Sequence, residues 1–149
     1  MIYYHNTIRK SGVDARAIKR VAGQLLSAVD EPDSSLSLSL VSDRAIAKLN
    51  RIHRGKDRPT DVLSFPIAQG NDSREIERML GDVVISVETA RKQAAAYDAS
   101  LQDEIYRLLI HGVLHVLGHD HEEAQQRSVM EREERRLAAT IGMRWPYEA

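Results

Sequence analysis

Residues 100 to 121 read SLQDEIYRLLIHGVLHVLGHDH, and this stretch decides the architecture. Ser100, followed three positions later by Asp103, makes a capping box that starts a helix. Leu101, Ile105, Leu108, Leu109, Val113, Leu114, Val116 and Leu117 cover more than one stripe, so the helix is predicted to be central and buried nearly all round. His111 and His115 interrupt the apolar run. Four residues apart, they stand one above the other on one helix face and can converge on a single ion. A histidine ten positions on would lie too far along the axis, at about 1.5 Å per residue, to join them. Gly118 sits where a left-handed residue would end the helix, and the turn can bring His121 back to the same ion.

Three imidazoles without a fourth protein ligand leave a coordination position open, the mark of a catalytic zinc site, where water is acidified toward neutrality. Without an ion, each of the two helical histidines would need its own buried partner. His119 is an alternative third ligand, although its place beside Gly118 suits a surface role or a substrate contact. His5 and His53 have no metal-ligand spacing and stay unassigned.

Working outward, Ile2 to His5 reads as a short strand. Asp14 caps a helix that carries Ile18, Val21, Ala22, Leu25 and Val29 at helical spacing and ends before Pro32, with Val13 and Ile18 as a hydrophobic staple. Ser35 to Val41 alternates leucine with serine, which predicts a half-buried strand with one wet face. Asp43 is expected to cap a short helix through Ile46 and Leu49, followed by a cationic loop from Arg51 to Pro59. Val62 to Phe65 is a strand closed by Pro66. Ala68 to Arg78 reads as a mobile polar loop leading to a second strand, Val83 to Ile85. Ser86 caps a helix to about Tyr97, and the final helix, about Glu123 to Ile141, mixes charges in a way that predicts a solvated face. The fold class that results is α+β (mixed α/β): a small mixed sheet of about four strands packed on helices, in one domain over residues 1–149.

The chain has 149 residues, 42% hydrophobic and 29% charged, as expected of an ordinary globular protein. No apolar run approaches the roughly 20 residues of a membrane span, and Met1 to Asn6 is too short and polar for an export signal, so a cytoplasmic location is expected. Cysteine is absent, which leaves histidine and oxygen as metal ligands. The net charge of -1 hides a basic cluster, in which Lys48, Arg51, Arg54, Lys56 and Arg58 are countered only by Asp57. Such a patch can bind phosphates although the whole chain is near neutral.

The spacing of His111, His115, Gly118 and His121 resembles the extended zinc motif of the metzincin proteases, but those enzymes place a glutamate base directly after the first histidine, where this chain has Gly112. The sequence is more closely similar to the YbeY family of bacterial endoribonucleases. That similarity is carried by the histidine segment together with Leu49-Asn50, Arg54-Gly55-Lys56, the block Pro59 to Pro66 and the block Gly81 to Ile85. It departs from the family at His119, where a tyrosine is common.

The resemblance implies Zn2+ on His111, His115 and His121, a catalytic Arg54, and single-stranded ribosomal RNA as substrate, chiefly the 16S 3′ end. It also implies the small ribosomal subunit and assembly factors as partners, with no membrane and no DNA. Arg54 suits the role, because a guanidinium grips phosphate bidentately and stabilises charge developing on its oxygens; Lys56 and Arg58 would extend the grip. Asp82 is either an acceptor for a ligand histidine or a turn residue. No other acid is an obvious base, so the nucleophile is an activated water or the RNA 2′-hydroxyl. Two competing readings are a metalloprotease-like zinc hydrolase and a non-catalytic ribosome-assembly module with a structural metal.

Overall fold

The computed structural model describes residues 1–67 and 78–147. Its elements are β1 (Ile2–Asn6), α1 (Ala15–Ala28), β2 (Ser35–Val41), α2 (Asp43–Arg54), β3 (Val62–Pro66), β4 (Met79–Ser86), α3 (Val87–Ala96), α4 (Leu101–Val116) and α5 (Ala124–Thr140). The strands form one mixed sheet in the order β1-β2-β4-β3. β2 runs parallel to β1 and β4, while β3 is the antiparallel edge strand beside β4. This is the α+β arrangement expected. The polar segment read as a loop lies, apart from Arg78, outside the described residues.

The leucines of β2 do what their alternation predicts. Leu36, Leu38 and Leu40 are fully buried, and the parallel register sets Leu38 beside Val83 and Leu40 beside Ile85. They share one core with Ile18 and Leu25 of α1 and with Ile105 and Leu109 of α4. Helix α4 packs on β3, β4, α1, α3 and α5, which is why it needs apolar residues on most of its circumference. The opposite sheet face is less wet than expected. Ile46 of α2 covers it with Val41, Leu63 and Val84, so Ser37 and Ser39 are half-buried and Ser35 is buried outright.

Three helix starts fall where the side-chain chemistry puts them: Asp14 accepts from Ala17 N, Ser86 from Thr89 N and Ser100 from Asp103 N. The expected cap of α2 is corrected by one residue, because Ser42 Oγ accepts from Ala45 N. Asp43 is instead drawn sideways by two hydroxyl donors, Ser86 Oγ at 2.5 Å and Thr89 Oγ1 at 2.6 Å, and ties α2 to α3. The expected loop from Arg51 is also corrected. The helix continues through Arg54 and leaves at Gly55 (φ 69°), so Arg51, His53 and Arg54 form its last turn, where positive charge faces the carbonyl end of the dipole.

Candidate metal centre

Helix α4 carries His111 and His115 on one face and ends in a double backbone clasp. Gly118 N donates to His115 O and His119 N to Leu114 O, both at 3.0 Å, with Gly118 at φ 99°. This is the Schellman geometry that glycine enters without steric cost. The turn returns His121 toward the helix: its ring centroid lies 5.8 Å from that of His111 and 5.1 Å from that of His115. The Nε2 atoms of His111 and His115 are 3.0 Å apart, and one ligand atom from each of the three rings lies within 4.8 Å of the others. Nitrogens bound tetrahedrally to zinc stand about 3.4 Å apart. The observed separations bracket that value, so small ring rotations suffice for the three to share an ion.

The protonation of the site suits a cation. Burial, then the neighbouring His111 and His121, push the His115 imidazole below its ordinary range, outweighing the His119 backbone and Asp120. His115 is therefore in the neutral form at neutral pH, the form able to bind a metal. His111 Nδ1 lies 3.3 Å from Glu134 Oε2, which leaves Nε2 for the site. A carboxylate on the far nitrogen fixes both the tautomer and the orientation of a ligating histidine.

Glu134 corrects the reading of α5 as simply solvated on its charged run, since it is buried. A signal was available: Met130, Glu134 and Leu137 fall on one helical stripe, and both apolar neighbours are buried. Asp82, the acid considered for this role, is elsewhere. Strand alternation turns it away from Val83, whose methyls face Gly112 of α4.

A cleft of about 640 Å³ contains the three histidines, and Arg54 lines it together with Asp61, Ser64 and His119. Arg54 and the histidines, 57 or more positions apart in sequence, thus share one cavity. Lys56 and Arg58 are exposed and do not line it. His119 stands at the wall, outside the converging trio. His53 packs against Phe65, the two tilted rings 4.8 Å apart, and is not part of the cleft lining. The floor is tight. Ser64 Oγ donates to Gly112 O, and a Cβ on Gly112 would come within 2.6 Å of Val83 Cγ1. No helix among the described residues is long and apolar enough to cross a membrane.

A family model described as Endoribonuclease YbeY matches residues 3–142. Endoribonuclease YbeY of Syntrophotalea carbinolica is 38% identical over 143 residues, which cover 95% of each chain. That of Geobacter metallireducens is 40% identical over 139 residues, 91% of this chain and 92% of the other. The solution structure of TM1509 from Thermotoga maritima matches with a TM-score of 0.65 at 26% identity, over 95% of this chain and 89% of that one. With a model match over nearly its whole length and relatives this similar, the chain belongs to the endoribonuclease YbeY family.

Proposed function

We propose that the chain is a single-domain, zinc-dependent endoribonuclease acting on single-stranded ribosomal RNA, with the 3′ end of the 16S molecule as its target. One observation carries the reading: three converging imidazoles and an arginine at a helix end line the same cleft. His111, His115 and His121 would hold one Zn2+, which supplies Lewis acidity and lowers the pKa of a bound water toward neutrality. Arg54 grips a phosphate oxygen and stabilises the charge that develops there. Glu134, 3.3 Å from His111 Nδ1, would hold the proton on that nitrogen and leave Nε2 for the ion. Family membership supports the RNA substrate, and it also motivates the small ribosomal subunit and its assembly factors as partners and the cytoplasm as location.

The protease reading is disfavoured by packing. The position that would carry its glutamate base is Gly112, buried against Val83. The decisive experiment is metal analysis of the purified protein joined to cleavage of single-stranded ribosomal RNA and of a peptide library. Chelator-sensitive peptide cleavage with intact RNA would reverse the assignment.

Two variants test individual roles. Arg54→Ala is expected to lower RNA cleavage by about two to three orders of magnitude while metal content and melting stay unchanged. Arg54→Lys should recover only part of this, since an ammonium lacks the bidentate fork. Single-turnover rates with a metal assay on the same samples decide it, and equal rates in all three proteins would remove Arg54 from the reaction. Glu134→Ala should weaken metal affinity by roughly 10- to 100-fold, measured by competition with a chromogenic chelator. Unaltered affinity would reduce Glu134 to a packing residue.

A further inference from the structure

The face of α4 that carries the histidines continues toward its N-terminus. Arg107 and Glu104 stand one and two turns before His111 on the same stripe, Arg107 lying about 6 Å along the axis. There a second cavity of about 530 Å³ is lined by Gln93, Tyr97, Arg107, Arg135, Trp145 and Tyr147, with Glu131 and Glu134 on its wall. It adjoins the metal cleft directly, because Glu134 touches His111 and Gln93 Nε2 donates to Asp61 Oδ2 of that cleft at 3.3 Å.

The chemistry of this cavity differs from that of a core. Three aromatic rings cluster in it, Tyr97 against Tyr147 at 5.0 Å and Trp145 against Tyr147 at 5.1 Å, both edge to face. Arg107 Cζ lies 4.9 Å from the Tyr147 ring centre. Its Nε and Nη2 are both taken by Glu104 Oε1, which locks the guanidinium plane and leaves Nη1 with no acceptor among the described residues. Gln93 Nε2 donates to two carboxylates, Asp61 and Glu104, and carboxylates only accept. The amide orientation is thereby fixed, with Nε2 toward the two carboxylates. The lining of the cavity therefore combines three aromatic rings with a guanidinium and an amide whose orientations are both fixed.

That combination fits a nucleobase, which is flat, aromatic and edged with donors and acceptors. We infer that this second cavity is a base-binding pocket for a nucleotide flanking the one whose phosphate sits in the metal cleft. The inference rests on the endoribonuclease reading and adds to it the feature that would make cleavage sensitive to a neighbouring base rather than to the phosphate alone.

Trp145 is the only tryptophan of the chain, so its emission reports on this pocket alone. The Zn2+-loaded Arg54→Ala protein, slowed in cleavage, is titrated with a single-stranded RNA hexamer while tryptophan emission and anisotropy of the labelled RNA are followed together. Saturable quenching that tracks binding is expected. An abasic residue scanned along the hexamer should remove the quenching at one position only. Adding Tyr97→Ala, at a ring that is 48% exposed, should weaken binding by roughly tenfold with metal content and melting unchanged. RNA that binds with flat emission, and equally well with Tyr97→Ala, overturns the pocket but leaves the endoribonuclease reading standing. RNA neither bound by this protein nor cut by the unaltered one removes both. Quenching by a tyrosine-containing peptide and not by RNA overturns the inference in favour of a protein segment.

Discussion

His115→Ala is expected to yield a folded protein with no stoichiometric zinc and with RNA cleavage reduced by about three orders of magnitude. The size follows from the several kcal/mol that a metal ion contributes to stabilising charge in such a transition state, at roughly 1.4 kcal/mol per factor of ten. Folding should survive, because His115 is half-buried at the cleft and its apolar neighbours Leu114 and Val116 hold the helix in place. His119→Ala is the matched control. His119 lies four residues further on, but its ring is outside the converging trio, and its structural contribution is a backbone bond to Leu114 that alanine retains. Elemental analysis and single-turnover cleavage of both variants settle the ligand set. Full zinc in His115→Ala would remove His115 from the ligand set, and zinc lost from His119→Ala would put His119 into it.

The second large effect is on stability. Gly112→Ala is expected to destabilise the fold by about 1–3 kcal/mol, a fall in Tm of roughly 3–10 °C. The new methyl would stand 2.6 Å and 3.0 Å from the two methyls of Val83 and 3.3 Å from Ser64 Oγ. None of these can simply step aside. Val83 is fully buried on β4, which is paired on both sides, and α4 is held by its neighbours all round. Adding Val83→Ala should recover part of the loss, because the cavity it opens takes the methyl, and the two changes should be non-additive. Thermal or urea denaturation of the two single variants and the double variant gives the answer. A Gly112→Ala protein as stable as the parent would show that helix and sheet are less closely packed than the structure has them. Gly112→Glu should not fold at all, since it adds a charge without a partner to the same contact.

How far the sequence revealed this arrangement depends on the range of each interaction. The three starts at Asp14, Ser86 and Ser100 are legible because a capping side chain and the backbone amide that donates to it lie three residues apart. The return of His121 was legible for the same reason, since helix, glycine and histidine are contiguous. The extent of α2 is not legible from charge, because basic residues suit both a loop and a helix C-terminus, and only Gly55 marks the end. Glu134 was missed inside a run of alternating charges, where only the stripe shared with Met130 and Leu137 distinguished it. The strand order, and with it the meeting of Arg54 and the histidines, depends on pairings between distant segments that composition and periodicity do not encode. In the sequence, the family resemblance and no local pattern connects Arg54 to the histidine segment.

The three histidines are not equally anchored. Two project from a helix locked into the core, whereas the third is exposed on the short turn after Gly118. An ion held there would sit under a latch. Release would need only the turn to swing outward, a local opening that costs far less than global unfolding. Exchange of the ion with solvent would then be fast while the body of the protein stays intact, and the rate would be set by the stiffness of three residues.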